Sequence, residues 1–361
     1  MSEWRWWIAF QQTPRLGPKH IQALADAFDG DLESAWNAPS NTVATIVGER
    51  VARLVEATRT TLDLDGIVRN VERLGQTVIP FADDRYPALL RETSAPPIVL
   101  YVEGELTEAD SRAVSVIGSR DSTPYGRDVA RLLSSDLAQA GVTIVSGLAR
   151  GIDGVAHEAA IAAGGRTIAV LGGGLDWIYP SEHRGLAKRI IEHGALVSEY
   201  PPRTRPVRGN FPMRNRIMAG LSIGVVIVEA RIKSGTLITA NYAAHYNRDV
   251  FAVPGSVLSP ASEGCHQLLK EGASLARNAA DILAELDIAS EVQTTPFETQ
   301  PLALSGTEAV VYAALTADPL HIDDLSVAVE LTIADVATAL MMLELQGLVR
   351  NTGAQHYARQ R

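Results

Sequence analysis

Between residues 95 and 285, short apolar runs alternate with amphipathic stretches, and this alternation constrains the fold more than any other feature of the chain. AVSVIG (113–118), GVTIVSG (141–147), RTIAVLG (166–172), ALVSE (195–199), SIGVVIVE (222–229) and DVFAVPG (249–255) read as buried strands. Helical patterns such as GRDVARLLSSDLAQAG and GVAHEAAIAAGG lie between most of them. Strands separated by helices imply a parallel sheet covered on both faces, because parallel neighbours need long crossover connections. The expected fold is therefore α/β with a Rossmann-like parallel sheet, and ligands belong at the carboxyl ends of its strands.

The flanks read differently. Residues 1–75 carry no strand-like run; HIQALADAFDG and RVARLVEATRTTLDLDGIVRNVERLG repeat apolar positions at helical spacing. TPRLGPKHIQALADAF sets a Gly-Pro turn before a helix, as SAM-like and helix-hairpin-helix modules do, and a helical bundle is expected here. Trp4, Trp6 and Trp7 are expected to anchor its core or a domain contact. The sheet domain is expected over 76–288 and a polar, proline-containing linker over 289–304. Three helical patterns and a hairpin, its turn centred on Asn351 to Gly353, predict a winged-helix domain over 305–361.

A length of 361 residues fits two or three domains. The single cysteine, Cys265, excludes an intrachain disulfide and a multi-thiolate zinc site, and neither a metal nor a cofactor is expected. No apolar run approaches the ~18 residues that span a bilayer, and MSEWRWWIAF lacks a signal-peptide pattern, so a cytoplasmic protein without a membrane partner is expected. A net charge of −10 argues against wholesale coating of nucleic acid. Any such site must be a local patch.

The strand ends carry candidate ligand groups. VIGSRDSTPYGRD turns at Gly118 and Ser119 and projects Arg120, a plausible phosphate cradle but not the G-x-G-x-x-G dinucleotide fingerprint. SGLARGIDGVAH supplies Arg150 and places Asp153 to cap the helix bearing His157. Ser146, Asp153 and His157 allow a hydrolase to be imagined, but the serine is not on a G-x-S-x-G elbow, and a structural His157 is expected. GGGLDWIYPSEH follows the third run, and VEARIKSGTLITA brings Lys233, Ser234, Gly235 and Thr236 to a helix start.

One segment contradicts the overall charge. The fourteen residues 203–216 contain five arginines (Arg203, Arg205, Arg208, Arg214, Arg216), no carboxylate, and Phe211. Guanidinium groups neutralise phosphates and a phenylalanine face stacks on an unpaired base, so the combination suits a single strand better than a duplex.

GSRDSTPYG, SGLARGIDGVAHEAAI, AVLGGGLDWIYPSEH, FPMRNRIMAGLS, VVIVEARIKSGTLITANYAA and RDVFAVPG resemble, in order, the signatures of the DNA-processing protein A (Smf) family. The resemblance implies a non-enzymatic homodimer that binds and shields incoming single-stranded DNA in natural transformation and helps load the RecA recombinase. It places the phosphate-binding turn on Gly118, Ser119 and Arg120, a basic contact on Arg208 and base stacking on Phe211. Arg214, Asn215 and Arg216 match the family's R-N-R, with a partly internal role for the arginines in shaping the pocket. Two departures stand out. His266 replaces the asparagine expected in a G-x-N pattern, and residues 301–361 hold three basic against seven acidic residues, favouring a protein contact over a duplex-reading wing. The competing enzymatic reading is a phosphoribohydrolase-like nucleotide hydrolase with P-G-G-x-G-T-x-x-E, but here Thr239 stands at the glutamate position.

Overall fold

A computed structural model of the chain describes residues 4–288, 304, 306–316, 318–346 and 348–359. It divides into two compact units, one within residues 1–292 and one within 293–361.

The first unit opens with helices α1 (Trp4–Gln11), α2 (Pro18–Ala27), α3 (Leu32–Asn37), α4 (Ser40–Val47), α5 (Glu49–Thr61) and α6 (Leu64–Leu74). Local chemistry sets their starts: Pro18 occupies the first turn of α2, and the carboxylates of Asp31 and Asp63 accept the backbone N–H groups of Ser34 and Gly66 at α3 and α6. Trp7, Ile8 and Phe10 are buried, Phe10 meets Trp36 edge-on at 5.0 Å, and Trp4 and Trp6 pack half-buried on the same core. That core continues into Val99, Tyr101, Ala169 and Leu196 of the sheet, so the helical segment packs directly on it. Gln11 fastens the two parts, donating from Nε2 to Glu199 O at 2.8 Å and accepting the Tyr101 hydroxyl at 3.1 Å.

The sheet and its helices follow as β1 (Thr77–Pro80), α7 (Ala88–Arg91), β2 (Val99–Gly104), β3 (Ala113–Ile117), α8 (Pro124–Gln139), β4 (Thr143–Ser146), α9 (Ile152–Ala162) and β5 (Thr167–Val170). Next come α10 (Arg184–His193), β6 (Gly194–Ser198), α11 (Asn210–Leu221), β7 (Gly224–Ile227), α12 (Gly235–His245), β8 (Asp249–Ala252), α13 (Glu263–Lys270), β9 (Ser274–Leu275) and α14 (Ala279–Glu285). The six expected strands are β3 to β8. The strand order is β1-β2-β6-β5-β4-β3-β7-β8-β9, parallel from β6 to β9, with β2 antiparallel to both its neighbours.

Every residue of β3 to β7 is buried, as strands covered on both faces require. Leu133 and Leu137 of α8 and Ile152 of α9 pack with Val114, Val116 and Ile144, whereas Ile217 of α11 and Ala240 of α12 pack with Ile117, Val145 and Ile227. The chain winds outward from β3 through β4 and β5 to β6, then returns to lay β7 on β3's other side. This reversal opens a crevice between the carboxyl ends of β3 and β7, where a doubly wound sheet places its ligands.

The second unit is a winged helix: α15 (Gly306–Ala314), β10 (Leu320–His321), α16 (Ile322–Val329), α17 (Ile333–Leu345), β11 (Val349–Gly353) and β12 (His356–Arg359). Val311, Leu315, Leu325, Val336, Leu340, Leu343 and Val349 form its core. The hairpin turn lies at Ala354 and Gln355, both at positive φ, and not at Asn351 to Gly353. Asn351 Oδ1 instead accepts the Gly353 N–H at 2.8 Å, where the strand register shifts. The linker expected over 289–304 lies outside the described residues except for Leu304. Among the described residues no single helix is long and apolar enough to cross a membrane.

Candidate nucleic-acid interface

The crevice at the reversal is a pocket of about 610 Å³ with three walls. The first follows β3 and comprises Ile117 to Asp121. The second is the start of α11 (Phe211, Arg214 and Asn215) with Arg208 two residues ahead of it; the third follows β7 and includes Arg231, Lys233, Ser234, Gly235, Thr236 and Thr239. The lining holds five cationic side chains (Arg120, Arg208, Arg214, Arg231, Lys233) against two carboxylates, Asp121 and Asp153. In a chain of net charge −10, this is a concentrated reversal of sign.

The first wall turns tightly because of what lies behind it. Gly151 (φ 75°) ends the loop before α9, and a Cβ there would stand 2.2 Å from Ser119 O. The oxygen accepts the Ile152 N–H at 3.2 Å, which fixes the Gly118-Ser119-Arg120 turn against α9. Arg120 is exposed, with its guanidinium carbon 5.2 Å from the Phe211 ring centroid.

Phe211 projects from the first turn of α11. Asn210 anchors that turn, donating from Nδ2 to Gly172 O at 2.9 Å, and Tyr179 sets its ring centroid 5.9 Å from that of Phe211. In the third wall Ser234 caps α12, its hydroxyl accepting the Thr236 N–H at 3.2 Å, so the amino end of the helix opens on the pocket beside Lys233. Asn215 Nδ2 donates to Gly235 O at 3.2 Å and joins the second wall to the third.

Beneath the walls lies a buried charged layer. Arg214 is 3% exposed and donates from Nη1 to Val170 O at 2.6 Å. Burial pushes its guanidinium down to about 10, with Asp153 opposing and Arg120 adding to the fall. Burial likewise raises the carboxyl of Asp153, against the pull of Arg214 and the backbone N–H groups of Ala149 and Gly147. The helix-capping role expected of Asp153 is corrected: α9 is preceded by Gly151, and Asp153 Oδ2 accepts instead from Gly147 N at 3.2 Å and Ala149 N at 3.4 Å. The carboxylate points back from the first turn of the helix, so it shapes the preceding loop. Gly147 is required by the same layer, since a Cβ would fall 1.9 Å from Arg214 Nη1.

The pocket thus gathers Gly118, Ser119, Arg120, Arg208, Phe211, Arg214, Asn215, Lys233, Ser234, Gly235 and Thr236. It does not include Arg150 or Arg216. Arg150 is exposed and paired with Glu182, while Arg216 is buried, paired with Glu199 and donating to Ala95 O at 2.7 Å. Arg214 reaches the pocket only as its floor. Arg231 lines the pocket without having been expected from the sequence, although it stands past a strand end two residues from Lys233, the same signal that marks the lysine.

The residues of the alternative chemistries are engaged elsewhere. The Ser146 hydroxyl donates to Val116 O at 2.7 Å, and His157 Nδ1 bonds the Thr167 hydroxyl at 2.7 Å. Thr167 donates onward to Ile144 O, so His157 Nδ1 carries the proton; burial pushes the imidazole down to about 3 and keeps it neutral. Thr239 is fully buried, its hydroxyl without a partner, where the hydrolase motif would need a glutamate. His266 lies outside the lining, with Nε2 3.1 Å from Gly255 O.

Comparison with known proteins agrees with this architecture. Residues 77–287 match the family model described as DNA recombination-mediator protein A, and residues 294–354 match the DprA winged helix domain. Protein Smf of Synechocystis is 35% identical over 99% of each chain. The crystal structure of DNA processing protein A from Streptococcus pneumoniae aligns with a TM-score of 0.69 at 34% identity, covering 78% of this chain and 97% of that one. A structure described for the single-stranded DNA binding mode of DNA processing protein A from Helicobacter pylori aligns with a TM-score of 0.54 at 31% identity, covering 59% and 97%.

Proposed function

Because the chain belongs to the DNA recombination-mediator protein A family, we propose that its sheet-edge pocket binds single-stranded DNA in DNA processing. The observation that carries this reading is the pocket lining: five cations to two carboxylates, with a phenylalanine ring beneath an exposed guanidinium. Arg120, Arg208, Arg231 and Lys233 neutralise backbone phosphates, and the amino end of α12 offers N–H groups to the same anions. Phe211 takes the face of an unpaired base, which a duplex keeps stacked and hidden. The likeness to the Helicobacter pylori protein supports the same assignment.

In this reading the protein is a non-enzymatic, cytoplasmic homodimer that shields incoming single strands during transformation and passes them to the RecA recombinase. The acidic winged helix makes a protein contact. The lack of a carboxylate at Thr239 argues against base release from nucleoside monophosphates, which incubation and chromatography would detect.

Gel retardation with matched single-stranded and duplex oligonucleotides at two salt concentrations tests the central claim. Affinity for the single strand is expected to exceed that for duplex and to fall with salt at a log–log slope of about −0.7 per phosphate neutralised. Arg120→Ala and Arg208→Ala each make the slope shallower, and Phe211→Ala weakens binding by about 1 to 3 kcal/mol with little change in slope. Unchanged affinity in all three variants removes the site assignment. RecA filaments are expected to grow faster on strands carrying the unaltered protein than on strands exposed to the Phe211→Ala variant.

A further inference from the structure

Aromatic surface extends past Phe211. Tyr179 is 55% exposed although its ring lies 5.9 Å from Phe211, inclined at 47°. Trp177, 41% exposed, carries the Arg205 guanidinium 5.0 Å from its ring centroid. Singly scattered apolar residues need no explanation, but Tyr179 and Phe211 are contiguous, and a contiguous exposed patch marks an interaction site.

The loop that bears them is fastened to the arginine-rich segment. Gly174 N donates to Thr204 O at 2.8 Å, and Arg203 N donates to both oxygens of Asp176 at 2.9 and 3.1 Å. Asn210 Nδ2 holds Gly172 O from the other end. Both carboxylates within loop 172–183 have partners: Asp176 the Arg203 backbone and Glu182 the Arg150 guanidinium. Asp176 keeps its charge when it accepts a neutral N–H, so the exposed charge here is two cations, Arg203 and Arg205, against one carboxylate, with Glu182 matched by Arg150.

We propose that Tyr179 and Trp177 continue the strand-binding surface beyond Phe211, stacking further unpaired bases while Arg203 and Arg205 meet the phosphates between them. Alternation of ring faces and guanidinium groups is what a single-stranded nucleic acid matches, because each base offers a π face and each linkage a negative charge. The subsite rests on the proposed single-strand reading and adds to it a length requirement. Short oligonucleotides fill the pocket alone, and longer ones reach the second platform.

The test is a binding series with the full chain and oligothymidylates from about 3 to about 16 nucleotides, bracketing the ~4–16 nucleotides usual for such grooves. Tyr179→Ala is expected to bind the longer oligonucleotides roughly 5- to 150-fold more weakly, the range that stacking on one base supplies, and the shortest as the unaltered chain does. Tyr179→Phe, which keeps the ring, binds at all lengths as the unaltered chain does. Trp177 also reports directly: the other four tryptophans, Trp4, Trp6, Trp7 and Trp36, are half-buried or buried in the helical segment. Quenching of tryptophan emission by long oligonucleotides should therefore vanish in Trp177→Phe. Unchanged affinity of Tyr179→Ala at every length, equal loss at every length, or undiminished quenching in Trp177→Phe overturns the subsite. With Phe211→Ala weakened in the same series, those outcomes leave the pocket itself standing; no binding by the unaltered chain overturns both.

Discussion

Arg208 and Arg214 lie six positions apart in one arginine-rich segment and do different physical work. Arg208 is exposed at the pocket mouth, so Arg208→Ala should change stability by no more than about 0.5 kcal/mol while altering the salt dependence of binding. Arg214 is the buried cation of Asp153, and Arg214→Ala should cost roughly 3 to 5 kcal/mol in urea denaturation because it strands a buried carboxylate. His157 gives a pH prediction with a definite sign. Its folded value, about 3, lies below the ordinary 6.5, so between those limits the unfolded chain takes up a proton that the fold refuses. Stability should fall as pH drops from 6.5 toward 3, and His157→Asn should flatten that fall in denaturation midpoints measured across the window. The cluster of positive charge was legible in the sequence, as were Arg120 and Phe211. The division of labour among the arginines was not fully legible, because which way a guanidinium points depends on Glu199, Asp153 and Val170 O, each from a distant part of the chain.

Elements, not single residues, decide where the pocket opens. Glu229, just past β7 and 2% exposed, accepts the Thr123 N–H at 2.9 Å and its hydroxyl, tying the end of β7 to the start of α8. Glu229→Ala leaves those donors without their acceptor and should cost about 1 to 3 kcal/mol, with faster amide exchange at Thr123 as the local sign. Packing also explains Gly126, where a Cβ would lie 2.3 Å from the Glu229 carboxyl carbon. Six of the seven parallel strands, β3 to β8, are legible because a strand covered on both faces is largely apolar. β9 spans only two residues and leaves no pattern, while β1 and β2 lie toward one side of the sheet and pair antiparallel, and strand order is a long-range outcome that local periodicity does not encode. The hairpin turn of the winged helix was displaced for a local reason. Asn351 and Gly353 have the composition of a turn but form a register shift, and the reversal falls to Ala354 and Gln355, residues with no such signal.

At the scale of the whole molecule, the two units differ in charge as well as in architecture. Residues 301–361 hold three basic and seven acidic residues, a net −4. An isolated fragment of residues 293–361 should leave duplex DNA unretarded at about 0.15 M salt, where non-specific binding depends on phosphate neutralisation. Deleting that fragment should leave the salt slope for single strands unchanged, since the pocket's described lining runs from Ile117 to Thr239 within the first unit. The sheet-edge walls come from residues 117–121, 208–218 and 231–239, joined by Asp153 from α9 and neighbouring Ala149. Synthesis from the amino end delivers those walls in turn. The Gly118-Ser119-Arg120 turn and the arginine-rich segment precede α12 in the chain, and the pocket lacks its third wall until β7 has settled beside β3. The pocket is therefore complete only after one late docking event, so the strand binding proposed for it belongs to the finished sheet.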